Sequence, residues 1–250
     1  MSDKRRDAAI FIVGHKPLQY GYWDNSLYTP IQVGYGESFT PLRDNTGVNI
    51  ADWNKVYAET TAYYWISRNF VMGDYVGVCQ YRRRLQFPED YDFDKAFEDC
   101  DVIAATPIKG GITVADQYCF CHCAQDFLRL EEIVKDLYPE YSKAWEDYIV
   151  NGKTIYYSNS CVMRAEDFQK YCDWLFAIFR EYRMRMGWEN ENQVREYVAG
   201  NIEKGICRGT RGVDYQMQLF AFATERLWTM YVQRNFKRIR HDNYVKFENV

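Results

Sequence analysis

The chain has 250 residues and a formal net charge of -4; 26% of its residues are charged and 47% are hydrophobic. This length can bury a substantial core, and the composition excludes an intrinsically disordered chain and a strongly basic nucleic-acid-binding protein. The longest apolar runs fall well short of the roughly 20 residues that a membrane-spanning helix requires. Tyrosine is frequent, with 22 residues against 15 Phe and 7 Trp, which suits either a sugar-binding surface or a core with many hydrogen-bonded hydroxyls.

No internal repeat or linker interrupts the sequence, so we predict one domain over 1–250, with a core at about 8–232. Apolar runs and apolar periodicity predict the following elements in chain order. They are a strand at 8–14, a weaker strand at 31–34, a helix at 52–69, strands at 75–79 and 101–105, helices at 114–137 and 140–150, a strand at 155–163, and helices at 165–186 and 214–230. This alternation predicts an α/β fold with a mostly parallel central sheet flanked by helices and a helical C-terminal part. Because ligands bind such sheets at the carboxyl ends of the strands, the residues after each strand are the first candidates for chemistry.

Residues 2–7 are polar or charged, and a short apolar strand follows them, which is not the pattern of a signal peptide. We therefore predict a cytoplasmic protein whose eight cysteines remain thiols. Cys119, Cys121 and Cys123 form a C-x-C-x-C cluster, whereas structural zinc sites usually pair their ligands at wider spacing. We interpret the cluster as semi-buried thiols next to His122 and predict no metal site.

Three consecutive arginines, Arg82, Arg83 and Arg84, follow the third predicted strand. If the strand continues through them, Arg82 and Arg84 share one face and Arg83 takes the other. They either form a solvated edge with ion pairs to the acidic stretch at 89–101, or they bind an anion such as a diphosphate. The planar, always-charged guanidinium is well suited to the second role.

The sequence lacks the phosphate-binding loop, the dinucleotide-binding glycine fingerprint, the nucleophile elbow and the kinase signatures. It does contain a D-x-D-x-D string at residues 90–94. Nucleotide-sugar transferases often place D-x-D directly after an apolar strand, where the carboxylates hold Mg²⁺ or Mn²⁺ on the diphosphate. Here Pro88 and Glu89 precede the string, so we interpret it as a solvated acidic loop.

Several segments taken together match one family. They are Ile10–Pro17, Asp44–Ile50, Tyr57–Trp65, Asp74–Arg83, Gln117–Tyr118, His122 with Asp126, Tyr156–Ser160, Tyr171–Phe176 and Glu225–Leu227. They resemble a bacterial family of capsular and exopolysaccharide biosynthesis glycosyltransferases, long described only as a domain of unknown function. Some of its members resemble galactofuranosyltransferases with a GT-A-like fold. The likeness runs from about residue 9 to 232, but Gln80 replaces a family His and Arg84 a family Tyr, so sugar preference or activity is expected to differ.

The resemblance implies a UDP-sugar-dependent hexosyltransferase that moves a sugar, galactofuranose in some relatives, to a hydroxyl of a capsular, exopolysaccharide or O-antigen glycan, or of a lipid-linked glycan. No cofactor is expected to be required, because the arginines rather than Mg²⁺ or Mn²⁺ would balance the diphosphate. The residues expected to bind the donor are His15, Lys16, Asp44, Asn45, Asn49, Glu59, Gln80, Arg82 and Arg83. Tyr118 and Asn159 are expected to contact the acceptor. His15 could instead be a local backbone donor, and Asn159 a turn amide.

Glycosyl transfer also requires a base that takes the proton of the acceptor hydroxyl. Asp126 is the first candidate, because His122 would lie one helical turn away on the same face, and His122 is assigned to the catalytic group with it. The two could equally form a structural pair. Glu225 is the second candidate, with an ion pair to Arg226 or a helix cap as the alternative.

The C-terminal segment, residues 233–250, is basic and interleaved with aromatic and apolar side chains. Such a segment can dock on an anionic membrane, so we expect a cytoplasmic protein with peripheral contact at the inner face of the cell membrane. A solvated final segment is the alternative. The competing function is a non-catalytic nucleotide-sugar or glycan-binding module in which Gln80 marks lost activity. No nucleic-acid partner is expected, because the net charge is negative.

Overall fold

The computed structural model describes residues 8–17, 25–207 and 211–246. The first seven residues and residues 247–250 of the predicted basic segment lie outside these ranges. The strands are β1 Ala8–Gly14, β2 Tyr28–Gln32, β3 Tyr75–Gln80, β4 Arg83–Leu85, β5 Val102–Ala105, β6 Ile108–Lys109, β7 Thr154–Ile155, β8 Cys161–Arg164, β9 Ile239–Asp242 and β10 Tyr244–Lys246. The α-helices are α1 Asn54–Tyr57, α2 Thr60–Asn69, α3 Phe93–Asp99, α4 Val114–Cys121, α5 Ala124–Leu137, α6 Ser142–Trp145, α7 Ala165–Met186, α8 Glu191–Glu203, α9 Gly212–Gln216 and α10 Leu219–Asn235. Short 3-10 turns occupy Ala51–Trp53, Pro139–Tyr141 and Tyr157–Asn159, and a π-helical turn occupies Glu146–Val150.

The central sheet has β2, β1, β3, β8, β5 and β9 side by side in that order. Of these six strands, β8 alone runs against the others. β4 folds back at the end of β3 and pairs with β10 in an antiparallel ribbon, while β6 and β7 form a separate small sheet. The predicted fold class, a mostly parallel sheet flanked by helices, is therefore confirmed.

Alternate residues of the strands feed two cores, one on each face of the sheet. On β1, Phe11 and Val13 enter the larger core, which also contains the buried faces of α2, α5, α7 and α10. Ile10 and Ile12 enter the smaller core, where α3 packs. Burial on both faces explains why β1 is a continuous apolar run in the sequence. Gly77 allows the Val162 side chain to pack closely against the backbone of β3, because a Cβ at this position would lie 2.9 Å from Cγ2 of Val162.

The helix predicted at 52–69 is interrupted. α1 ends at Tyr57 and α2 begins at Thr60, because Ala58 has φ 47° and ψ -127°, a backbone conformation that non-glycine residues rarely adopt. The Asn54 side chain donates hydrogen bonds to the Ala58 carbonyl (3.0 Å) and to Oγ1 of Thr61 (3.1 Å), and these bonds hold the break. The apolar periodicity continues across Ala58, so the sequence pattern did not indicate the break between α1 and α2.

The helix predicted at 114–137 is also two helices. α4 ends at Cys121, and both His122 and Cys123 are extended before α5 begins. The prediction that His122 and Asp126 share one helix face is therefore wrong. The strand predicted at 155–163 is divided between β7 and β8, and the helix predicted at 214–230 between α9 and α10.

Two helices were not predicted at all. α3 is short and begins inside the acidic string, where the Asp92 carboxylate caps it by accepting the Lys95 N–H at 2.9 Å. α8 begins with a capping box formed by Asn190 and Gln193, a signal that the sequence did contain.

The basic C-terminal segment begins in the last turn of α10 and then contributes β9 and β10 to the sheet. β9 pairs in parallel with β5, and the Phe236 ring just before it is buried. Arg238 forms an ion pair with Asp101 at 2.7 Å. No helix in the described ranges has both the length and the apolar composition needed to cross a bilayer.

Candidate functional site

A cavity of about 550 Å³ opens at the carboxyl ends of β1 and β3. The α1–α2 break and the residues around α9 complete its walls. Cationic or titratable side chains line it on several sides, and they are His15, Lys55, Arg82 and Arg83. Two carboxyl groups, Glu59 and Asp214, also line it. This position is the one at which open α/β sheets bind ligands.

The three arginines separate at a tight turn. β3 ends at Gln80 and β4 begins at Arg83, so the chain reverses instead of continuing as a strand. Arg82 and Arg83 line the cavity, whereas Arg84 is buried with its guanidinium carbon 5.0 Å from the Tyr28 ring centre. The prediction that Arg82 and Arg84 share a face is therefore wrong, and the two arginines that meet the cavity are neighbours in sequence.

Glu59 owes its position to the break at Ala58. Its side chain is half-buried, and Oε1 accepts a hydrogen bond from Nε2 of Gln80 at 2.7 Å. Burial raises the pKa of Glu59 to about 7, and the nearby Glu225 carboxylate acts in the same direction. The hydrogen bond from Gln80 and the positive charge of Arg83 limit that rise. A carboxyl group with a pKa near neutrality, facing a cavity, can exchange a proton with a ligand.

His15 and Lys16 are exposed at the end of β1. The His15 ring lines the cavity and meets the Tyr81 ring edge-on, with 5.2 Å between ring centres. Partial burial lowers the pKa of His15, and the positive charges of Lys16 and Arg82 lower it further. Five of the residues predicted to bind the donor thus meet at one cavity, and they are His15, Glu59, Gln80, Arg82 and Arg83.

The loop before α1 supports the cavity from behind. The buried Asp44 carboxylate accepts the Gly34 N–H at 2.9 Å, next to Val33 in the cavity wall. Asn49 accepts the Ala51 N–H at 3.1 Å and so helps to begin the first helical turn. The cavity lining includes neither of these two residues, nor the half-buried Asn45, nor Lys16.

Asp126 is buried in a hydrogen-bonded cluster outside the cavity lining. Its Oδ1 accepts hydrogen bonds from the hydroxyls of Tyr197 at 2.6 Å and Tyr182 at 2.9 Å, and Arg129 lies 3.8 Å away. Burial raises the pKa of Asp126 to about 6, although the two tyrosine hydrogen bonds oppose the rise. These contacts are typical of a structural carboxylate.

His122 also lies outside the cavity lining. It is buried, its Nδ1 is 2.9 Å from Oε1 of Gln216, and its ring stacks on Phe222 with 3.9 Å between centres. Burial lowers the pKa of His122 to about 4, so the imidazole is neutral near pH 7.

Glu225 is outside the cavity lining and next to a buried arginine. Its Oε2 is 3.0 Å from Nη1 of Arg226, so the ion pair considered as the alternative is present. Arg226 is buried, also donates to Gln117, and lies 5.2 Å from the ring centre of Tyr118. Tyr118 is itself buried.

A strained turn adjoins this group. Ser158 and Asn159 have φ values of 70° and 53°, in the left-handed region that non-glycine residues adopt uncommonly, although Asn does so more readily than Ser. The Ser158 N–H donates to Oε1 of Glu225 at 3.3 Å, and the hydroxyl of Ser160 donates to the Arg83 carbonyl at 3.4 Å. Both polar atoms of the Asn159 amide are buried without a hydrogen-bond partner among the described residues. The sequence has no glycine at this turn, so nothing in it indicated the positive φ values.

A profile described as a domain of unknown function, DUF4422, matches residues 9–208. The chain belongs to this family. No curated protein matches the DUF4422 chain. Among solved structures, it is similar to the apo structure of the bifunctional glycosyltransferase WbbM, with a TM-score of 0.69 and 23% identity over 97% of this chain. The match covers 45% of the WbbM chain, so the DUF4422 chain spans less than half of that protein's length, and the likeness shows the fold.

The acidic string of the DUF4422 chain lies on the α3 side of the sheet. Asp92 caps α3, and Asp94 accepts a hydrogen bond from the Tyr75 hydroxyl at 2.8 Å. Within residues 8–17, 25–207 and 211–246, no group of three or more His, Cys, Asp or Glu side chains is arranged to hold a metal ion, and all eight cysteines are free thiols.

Proposed function

We propose that this chain is a glycosyltransferase that moves a sugar from a nucleoside diphosphate donor to a hydroxyl of a glycan acceptor. One observation carries the proposal: Arg82, Arg83 and a carboxyl group with a pKa near 7 face the same cavity at the carboxyl ends of β1 and β3. The fold shared with the bifunctional glycosyltransferase WbbM supports it.

The cationic side chains supply the first requirement of the reaction. The donor diphosphate gains negative charge as the bond from the anomeric carbon to the phosphate oxygen breaks. Arg82 and Arg83 donate charge-assisted hydrogen bonds to that group, and His15 lines the adjacent wall. This assignment keeps the predicted metal independence as a proposal, with no role for Asp92 or Asp94 in holding a cation.

Glu59 supplies the second requirement. In its ionised form the carboxylate accepts the proton of the acceptor hydroxyl while that oxygen forms the new bond to the anomeric carbon. Glu225 remains the second candidate base, since its charge already influences the pKa of Glu59. Asp126 and His122 remain predictions, but the hydrogen bonds that enclose them favour a structural role.

The finer assignments come from the family resemblance and remain proposals. They are UDP as the nucleotide, galactofuranose as one donor sugar, and a capsular, exopolysaccharide, O-antigen or lipid-linked glycan as the acceptor. Gln80 is the residue most expected to alter sugar preference, because it bonds Glu59 directly. Docking of the C-terminal segment on an anionic membrane also remains a proposal, to be tested by vesicle co-sedimentation of Lys237→Glu, an exposed cation next to Phe236.

The test is a thermal-shift titration of the full chain with UDP, UDP-galactofuranose and UDP-galactose, followed by an assay of UDP release with a glycan acceptor. We expect UDP to raise the melting temperature and Arg83→Gln to weaken UDP binding by about tenfold, since a charge-assisted bond is lost. Arg185→Gln is the control, because this arginine lies outside the cavity lining and forms an ion pair with Asp136. A chain that neither binds nor cleaves nucleotide sugars would contradict the proposal.

A non-catalytic binding module is the outcome if UDP-sugars bind but no UDP is released by any acceptor tested. The hydrogen bond from Gln80 to Glu59 favours the binding module, because it occupies one oxygen of the proposed base. Gln80→His then separates the two functions. If the glutamine has suppressed catalysis, this variant gains UDP release while its UDP affinity stays the same.

A further inference from the structure

A second cavity, of about 370 Å³, lies between α2 and α7. Its volume falls at the lower end of the roughly 300–1,000 Å³ typical of small-molecule sites. It is linked to the first cavity through the chain itself, because Tyr57 lines the second cavity while the next residues, Ala58 and Glu59, line the first.

One wall of the second cavity is aromatic. The rings of Tyr64 and Phe176 meet edge-on with 5.0 Å between centres, and Tyr57 stacks against Phe176 at 6.3 Å. Phe176 is buried and Tyr64 is half-buried, so the rings are held in place and still face the cavity. Such a surface packs against the apolar C–H face of a sugar ring.

The other wall is cationic. Arg68, Arg180 and Arg183 line it, and Asp173 is the carboxylate among the lining residues. Arg68 is already bound to Asp173 at 2.8 Å. Arg183 lies with its guanidinium carbon 3.4 Å from the Trp53 ring centre, and its Nε is buried without a hydrogen-bond partner among the described residues. The cavity thus has a clear excess of positive charge in a chain whose net charge is -4.

We propose that this second cavity binds an anionic sugar residue, with its carboxylate or phosphate at Arg180 and Arg183 and its ring against Tyr64 and Phe176. Arginine binds both anions through paired hydrogen bonds, and the aromatic wall selects a ring over a free ion. The inference does not depend on glycosyl transfer, because none of these residues belongs to the first cavity. An acidic glycan bound here would be held at a cavity whose lining does not include Glu59.

Saturation-transfer NMR on the full chain tests the proposal with glucuronic acid, glucose 1-phosphate and glucose as observed ligands, and with inorganic phosphate titrated as a competitor. We expect at least one of the two anionic sugars to bind about tenfold more tightly than glucose and than phosphate alone. Arg180→Gln, at an exposed position that should not disturb folding, weakens that binding about tenfold. Arg185→Gln, on the same helix but outside the cavity, leaves it unchanged. Preference for glucuronic acid or for glucose 1-phosphate tells which anion the site takes.

Equal binding of phosphate and both anionic sugars would overturn the proposal, since the ring would then contribute nothing. Binding that survives Arg180→Gln unchanged would overturn it as well. Saturating UDP separates this site from the first cavity: we expect anionic-sugar binding to persist in its presence and in Arg82→Gln. Displacement of the anionic sugar by UDP would place it in the first cavity and contradict the inference. If the protein binds the anionic sugar but does not bind UDP, the proposed donor site is refuted and the anionic-sugar site is not.

Discussion

Glu59 and Asp126 are both carboxyl groups whose pKa burial raises, to about 7 and about 6, yet their surroundings differ. Glu59 accepts one side-chain hydrogen bond, from Gln80, and opens onto a cavity. Asp126 accepts hydrogen bonds from two tyrosine hydroxyls, has an arginine nearby, and lines neither of the two cavities described above. A raised pKa therefore marks a carboxyl group as buried, and access decides whether it can meet a substrate.

The two regions also differ in backbone. Glu59 follows a residue of unusual conformation that interrupts a helix, whereas Asp126 sits in the regular first turn of α5. Strain of this kind persists where the surrounding structure imposes it, and it is common at functional sites. Changing one carboxyl group at a time tests whether access to the cavity separates the roles of Glu59 and Asp126.

The largest effect is expected from Glu59→Gln. This change keeps the shape of the side chain but removes its ability to accept a proton, so kcat for UDP release should fall by about 10² to 10⁴. Glu196→Gln, an exposed site on α8, is the matched control and should retain wild-type turnover. Unchanged turnover in Glu59→Gln would transfer the role of base to Glu225, to be tested in the same way.

Asp126→Ala should act on stability instead. It leaves the hydroxyls of Tyr182 and Tyr197 without their acceptor, so the free energy of unfolding should fall by about 2–4 kcal/mol in urea titrations. Turnover of the folded protein at 20 °C should stay within about threefold of wild type. Asp126→Asn, which keeps an oxygen acceptor, should lose less stability. A folded Asp126→Ala protein without activity would restore Asp126 as the catalytic candidate.

The pH dependence separates activity from stability at the same residue. Because the base must be ionised, kcat/KM should rise with pH, with a midpoint near 7 that Glu59→Gln abolishes. Stability runs the other way. Between pH 4.5, the usual pKa of Glu, and about pH 7 the folded chain keeps a proton that the unfolded chain has lost. The contribution of Glu59 to stability is thus fully present below pH 4.5 and lost as pH rises through 7.

At pH 8 the free energy of unfolding of Glu59→Gln should therefore exceed that of wild type by about 1–3 kcal/mol, since one pKa unit corresponds to about 1.4 kcal/mol. The gain should disappear at pH 4.5. Urea titrations at the two pH values measure it. An equal gain at both would mean that the carboxyl group titrates normally in the folded chain.

The smallest effect is expected from metal removal. If Arg82 and Arg83 balance the diphosphate charge, EDTA should change the rate of UDP release by less than about twofold, whereas Arg83→Gln weakens donor binding about tenfold. Loss of activity in EDTA with recovery in Mn²⁺ would show that the arginines are insufficient.

The fold class could be predicted because a strand that is buried on both faces, such as β1, is a run of consecutive apolar residues in the sequence. α7 was predicted with its observed bounds, since its apolar stripe and the Gly187 after it are local signals. The breaks at Ala58 and at His122 could not be predicted. Each depends on particular hydrogen bonds or packing, such as those of Asn54, while the apolar spacing continues unchanged.

Only part of the candidate site could be predicted from the sequence. The positions after β1 and β3 follow from topology, so His15, Arg82 and Arg83 were found. Lys55, Asp214 and Gln218 were missed, because α1 and α9 reach the cavity only through tertiary packing. The pairing of His122 with Asp126 assumed a continuous helix, and it failed with that assumption.

β9 is paired in parallel with β5 although more than half of the chain separates them. Contacts so distant in sequence cannot form until the whole segment from β5 to β9 has been synthesised, and they slow folding because a long loop must close first. During translation the edge of β5 is therefore exposed to any other strand that can pair with it. The ion pair between Arg238, just before β9, and Asp101, just before β5, can likewise form only after β9 has been synthesised.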